Sequence, residues 1–161
     1  MDPEDVQRGV EIATGFIAYR MRSEFEIRRR LKRANIEDED ADAVIERLTK
    51  MKLVDDRAFA GAYARDQIMG RKRGPLRVRR GLAGLGVSKD LADEAVSDVT
   101  ASVDMFEQAL DLGRKRWRLL AHVEDEARRR KRLYDFLVRR GYDFELVRRA
   151  VEHIRGEDDD E

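Results

Sequence analysis

The chain has 161 residues, and its 34 Lys plus Arg against 34 Asp plus Glu leave 42% of it charged with no net charge. Ordinary domains carry roughly 25% charged residues, and a zero sum argues against a uniformly basic coat for nucleic acid or anionic membrane. The absence of cysteine excludes a disulfide framework, a thiolate zinc site and a cysteine nucleophile, and a reducing, cytoplasmic compartment is expected.

The start, Met1-Asp2-Pro3-Glu4-Asp5, is acidic where a secretory signal would be basic. No apolar run approaches the roughly 18 residues of a membrane span, so a soluble, non-exported protein with no membrane partner is expected. Strand signals are nearly absent and apolar residues recur at helical spacing, which predicts an all-α chain. Gln7 to Tyr19 reads as a first helix. Ser23-Glu24-Phe25-Glu26 has the Ser-x-x-Glu form of a capping box and opens a second, anchored by Ile27, Leu31 and Ile36. Asn35, just before the last anchor, tolerates the left-handed conformation that closes a helix. A third helix carries Ala41, Val44, Ile45 and Leu48 at i, i+3, i+4 and i+7, one buried face.

The same order then returns. After a helical stretch from Ala58 to Ile68, Gly74-Pro75 puts proline at a first helical turn. Val78, Leu82 and Val87 follow with Gly86 at the turn, and Ala92, Ala95, Val96 and Val99 lie 51 residues beyond the first stripe. A third round has Asp104 to Leu120, then Leu133, Leu137 and Tyr142 with Gly141, then Val147, Ala150, Val151 and Ile154, a further 55 residues on. This internal repeat predicts three-helix, helix-turn-helix-like units at 1–54, 55–102 and 103–156, with 157–161 a disordered acidic tail. Units of about 50 residues have little core of their own, so stability shared through the junctions is expected.

Familiar chemical motifs do not fit. Asp38, Asp40 and Asp42 imitate a calcium loop, but Ala43 stands at the required glycine and Thr49 at the bidentate glutamate; an acidic helix start facing the macrodipole accounts for them better. Gly81, Gly84 and Gly86 imitate a phosphate loop, but Val87-Ser88 follows where lysine should stand and no strand precedes. His122 and His153 have no matching ligand or nucleophile motif and read as surface or packing residues. Trp117, inside Arg114-Lys115-Arg116-Trp117-Arg118, could stack on a base but sits at helical spacing from Leu120 and reads as core. No catalytic residue, metal or cofactor is expected, and the chain is not read as an enzyme.

Charge is segregated by element. Residues 20–33, 71–80, 114–118 and 128–132 together carry +20, whereas Glu37 to Asp42 carries −5, Lys89 to Asp98 carries −3 and residues 157–161 carry −5. A helix-turn-helix reader presents basic and amide side chains of its second helix to base edges, but here those helices hold Asp42, Glu46, Asp93, Glu94 and Asp98, which phosphates would repel. The candidate contact residues are therefore Arg20, Arg22 and Arg28 around the first junction and Arg71, Lys72, Arg73, Arg77, Arg79 and Arg80 around the second. Guanidinium forks there can grip phosphate or carboxylate. Asp55, Asp56, Phe59 and Gly74 are assigned to caps, core and turn.

Arg20-Met21-Arg22-Ser23-Glu24-Phe25-Glu26-Ile27, Leu53-Val54-Asp55-Asp56-Arg57-Ala58-Phe59-Ala60 and Gly74-Pro75-Leu76-Arg77-Val78 resemble, in order and spacing, motifs of the RecX family. Arg139-Arg140-Gly141-Tyr142 is similar to that family's recurrent basic-Gly-aromatic turn. Asn35-Ile36 departs from the usual Gly-Phe but keeps turn chemistry and apolar anchor. The resemblance implies tandem three-helix repeats in an elongated, curved monomer. It also implies a role in homologous recombination, DNA repair and the SOS response, and as partners a RecA filament and single-stranded DNA, with double-stranded DNA as a further partner. The implied action is to suppress RecA's ATPase, strand exchange and co-protease activities by blocking filament extension or promoting disassembly. The alternatives from other classes are a helix-turn-helix DNA-binding transcription regulator and a helical scaffold that binds only protein.

Overall fold

The computed structural model describes residues 1–160. Among them are nine α-helices, one π-helical turn and no strand. The first three-helix segment comprises α1 (Pro3–Ile17), α2 (Glu24–Arg33) and α3 (Asp38–Lys50). The second comprises α4 (Asp56–Arg65), running into the π-helical turn Asp66–Gly70, then α5 (Pro75–Gly84) and α6 (Lys89–Thr100). The third comprises α7 (Met105–Leu119), α8 (Glu126–Arg140) and α9 (Phe144–Asp159). None of the described helices is long and apolar enough to cross a membrane.

Local chemistry sets the ends. Asp104, Asp125 and Asp143 each cap a helix by accepting from a backbone N–H in its first turn. The expected capping box is present: Ser23 Oγ accepts from the Glu26 N–H at 3.3 Å while the Glu26 carboxylate accepts from the Ser23 N–H at 2.9 Å. Asp55 caps α4 through the Ala58 N–H, and Pro75 stands at the start of α5. Asn35, Gly86 and Gly141 close their helices at φ of 58°, 75° and 100°. Lys52 and Lys72 are also left-handed, at 57° and 55°, although their residue type gives no signal for it.

Every anchor of the repeat is inside. The twelve stripe positions are all buried, as are the anchors Ile27, Leu31 and Ile36, Val78, Leu82 and Val87, and Leu133, Leu137 and Tyr142. Asp56 accepts from the Glu24 N–H at 2.9 Å, and Phe59 is buried.

The chain divides into two compact units: residues 1–62 with 82–92, and residues 63–81 with the chain from 93 onward. The middle three-helix segment contributes residues to both units. The core of the first unit gathers Val10, Ala13, Ile27, Leu31, Val44 and Leu48. In the second, the main cluster gathers Leu110, Trp117, Leu133, Leu137, Val147 and Ile154.

The disordered tail expected at 157–161 is corrected by the structure. Helix α9 continues through Asp159, because Glu157 meets Arg114 at 2.7 Å and Asp158 meets both Arg129 and the Trp117 indole N–H. A run of carboxylates has no reason to order until partners distant in sequence are brought to it. Glu161 lies outside the described residues.

Candidate anion-binding interface

The first junction is largely neutralised within the fold. Arg20 pairs with Glu26 and donates to the Met21 carbonyl at 2.7 Å. Arg22 has only 13% of its side chain exposed; its guanidinium lies 3.8 Å from the Phe16 ring centroid and donates to the Phe16 carbonyl at 3.1 Å. Burial, then the charge of Arg20, pulls the Arg22 pKa below its ordinary value against the pull of Glu26. Arg28 bridges Glu24 at 2.8 Å and Asp42 at 2.6 Å.

One of these pairs has a counterpart in the repeat. Arg79 on α5 meets Asp93 on α6 at 3.1 Å, and both positions are those of Arg28 and Asp42 shifted by 51 residues. The acidic second helix of each pair is thus a partner for the basic first helix. The third segment has Tyr134 and Arg148 at the corresponding places and no such pair.

The second run is different. The π-helical turn ends with the Arg71 N–H on the Asp66 carbonyl at 2.9 Å, and Lys72 then turns left-handed. The following loop is stitched to the end of α8: the Gly74 N–H donates to the Arg140 carbonyl at 2.8 Å and the Leu76 N–H to the Gly141 carbonyl at 3.0 Å. A Cβ on Gly74 would lie 2.3 Å from the Gly141 carbonyl carbon, so only glycine permits the approach. Beneath it, the Tyr142 hydroxyl lies 2.9 Å from the Lys72 carbonyl and 2.7 Å from Gln108 Oε1, its one proton serving two acceptors. Gln108 in turn donates to the Ile68 carbonyl at 3.0 Å. Burial holds the Tyr142 phenol neutral, far above its usual pKa.

This stitching sets Arg139, from the end of α8, beside Arg73, Arg77 and Arg80. Together with Tyr63, Gln67 and Gly81 they line a concavity of about 540 Å³ in which no acidic residue takes part. Arg77 reaches the Arg139 carbonyl at 3.4 Å, a cation at a helix C-terminus. Arg73 is held by the neutral Gln67 side chain. None of the four guanidiniums has a carboxylate partner among the described residues. The neighbouring Arg140 feels the crowding: burial first, then the charges of Arg77 and Arg73, lowers its pKa against the favourable Tyr142. Arg139 also lines a second concavity of about 370 Å³ with Arg116 and Arg132, which Asp135 shares, so the first is the acid-free one. Such a set can hold a multiply charged oxyanion, because each planar fork matches two of its oxygens.

The structure thus gathers Arg73, Arg77 and Arg80 and adds Arg139, Tyr63 and Gln67 to them. Arg71, paired with Asp66 at 3.4 Å, and Lys72 stay on the exposed loop beside the concavity, while Arg79 turns to Asp93. Arg139 is 59 residues from Arg80 in the chain, and the stitching of residues 72–77 to residues 139–142, close at Gly74 and Gly141, brings the two together. Its signal in the sequence is the basic-Gly-aromatic turn, which marks the junction but not the direction of the arginine.

Three consecutive three-helix segments, with no strand among the described residues, define a helical-repeat protein. Family models for the first, second and third three-helix domains of RecX match residues 11–48, 55–96 and 103–151. A regulatory protein RecX of Prosthecochloris aestuarii is 32% identical over 154 residues, covering 96% of this chain and 98% of its own. One from Xanthomonas campestris pv. campestris is 37% identical over 145 residues, covering 90% and 86%. The crystal structure of RecX from Lactobacillus salivarius superposes with a TM-score of 0.82 at 18% identity, over 94% of this chain and 97% of that one. The chain belongs to the RecX family of regulatory proteins.

Proposed function

We propose that the protein regulates RecA by binding the RecA–DNA filament and suppressing its ATPase, strand exchange and co-protease activities, by blocking extension or promoting disassembly. The reading extends to a cytoplasmic monomer that contacts single-stranded DNA and acts in recombination, repair and the SOS response. Its working boundaries are 1–54, 55–102 and 103–156. The observation that carries it is the set of unpaired arginines, Arg73, Arg77, Arg80 and Arg139, on one concavity of a RecX-family chain. A filament on DNA presents repeated anionic groups, so modest contacts repeated along it add through multivalency.

Arg20, Arg22, Arg28 and Arg79 enter this proposal as supports of the fold, since their charges are already matched. The transcription-regulator alternative gains nothing: Asp42 and Asp93 lie on the helices that would have to enter the groove. The protein, added to RecA on single-stranded DNA, is expected to suppress ATP hydrolysis at substoichiometric ratios. Unchanged hydrolysis at an equimolar ratio would overturn the reading.

A further inference from the structure

We propose that Arg114, Trp117 and Arg129 in the third segment form a second phosphate site for a nucleic-acid strand, separate from the four-arginine concavity, and that Glu157 and Asp158 occupy it in place of the ligand. Arg114 grips the Glu157 carboxylate with its Nε, at 3.1 and 3.2 Å, and a terminal nitrogen at 2.7 Å. The Trp117 indole N–H donates to Asp158 Oδ2. Arg129 stacks 3.6 Å from the indole ring centroid, is fixed by the Trp117 carbonyl at 2.7 Å, and reaches the same Asp158 carboxylate at 3.4 Å. Two guanidiniums and an indole N–H thus converge on two carboxylates, the donor set that would grip phosphate oxygens. Of the other acidic groups close by, Glu126 faces Arg155 at 3.7 Å, Asp111 lies 3.5 Å from Arg114, and Glu124 lines the concavity beside Trp117 and Arg129.

The occupant is poorly suited to stay. The buried stripe of α9 ends at Ile154, so the last turn has no apolar anchor. Its carboxylates sit at the helix C-terminus, where the macrodipole and each other's charge oppose them. The site holds the turn together with His153, whose Nε2 lies 3.3 Å from Glu157; the Arg114 guanidinium, first among these, keeps Glu157 below its ordinary value. Partly exposed ion pairs of this kind contribute little and are screened by salt. The occupant is a run of adjacent negative charges, Glu157 to Asp160, so a competitor has to offer fixed charge at least as dense. A nucleic-acid strand does so at every nucleotide and gains from counterion release, which scattered protein carboxylates lack.

Trp117 is the single tryptophan, and its emission therefore reports the site directly. The test compares the full chain with one lacking residues 157–161, titrating each with a short oligothymidylate over a range of salt. Deletion is expected to tighten binding severalfold and to steepen the log–log salt slope by roughly 1.4, as for two more phosphates neutralised on a single strand. Arg114→Gln in the shortened chain should remove about half of that gain. Lys115→Gln, the same charge change outside the site, should leave the gain intact. Oligothymidylate added to the full chain should move Trp117 emission to that of the shortened chain saturated with the same oligothymidylate. The triple variant Glu157→Gln, Asp158→Asn, Asp159→Asn repeats the comparison should the shortened chain fold poorly. The proposal is overturned by unchanged affinity and slope in both variants, by equal losses from Arg114→Gln and Lys115→Gln, or by displacement with polyglutamate in preference to oligothymidylate.

Discussion

Tyr142 is 1% exposed, and its hydroxyl has two acceptors, the Lys72 carbonyl and Gln108. Removing that hydroxyl leaves the buried Gln108 Oε1 short of a donor, whereas the Lys72 carbonyl is only partly buried. Tyr142→Phe should therefore lower stability by about 1–3 kcal/mol, read as a fall in the urea midpoint; an unchanged midpoint would contradict the network. Glu26 makes a second prediction. Burial opposes its ionisation, but hydrogen bonds from Arg20 and the Ser23 backbone and the charges of Arg20 and Arg22 outweigh it and hold the carboxyl below its ordinary value of 4.5. A depressed carboxyl contributes stability that is complete above the unfolded pKa and is lost as pH falls through the folded one. Thermal melts should show the wild-type chain losing more stability than Glu26→Gln below about pH 4.5; parallel losses would refute the assignment. Residues of this kind are half legible in the sequence. The Ser-x-x-Glu pattern names Glu26, and the repeat names Tyr142 as an anchor, but neither pattern contains the polar partners, which for Tyr142 come from segments 34 and 70 residues away.

Helices α2 and α5 show how far local patterns reach. Their anchors, caps and left-handed turns follow from residue type and spacing alone. The fate of their arginines does not, because a guanidinium such as Arg28 or Arg80 looks the same in the sequence whether or not a carboxylate ends up beside it. Segregated charge suggests a contact surface, but for Arg28–Asp42 and Arg79–Asp93 it is instead a pairing between consecutive helices. Partly exposed pairs of this sort contribute about 0.2–1 kcal/mol each, enough to favour one helix arrangement over its neighbours without setting the stability of the fold. The cap on α2 contributes more. Ser23 is fully buried; besides accepting from Glu26 it donates to the Leu85 carbonyl at 2.7 Å, so its hydroxyl serves two segments of the first unit. Ser23→Ala should cost about 1–2 kcal/mol, with the loss visible in denaturant unfolding; a change of only a few tenths would show that water takes over both bonds.

For the molecule as a whole, the neutral composition conceals two populations of basic residue. One is matched inside the fold and holds helices together; the other includes Arg73, Arg77, Arg80 and Arg139, which have no carboxylate partner among the described residues and line one concavity. A zero sum of charge is therefore compatible with a locally strong anion site, and the proposed function rests on that division. The measurement that tests it most directly is the salt dependence of binding to single-stranded DNA, alone and coated with RecA, for two charge-neutralised variants. Replacing Arg73, Arg77 and Arg80 with Gln should flatten the log–log slope on bare DNA by up to roughly 2, near 0.7 for each phosphate no longer neutralised, and weaken inhibition of RecA's ATP hydrolysis in parallel. Replacing Arg20, Arg28 and Arg79 with Gln should lower stability and leave the slope unchanged. Equal slopes in the wild type and the first variant, or a flattened slope confined to the second, would contradict the division.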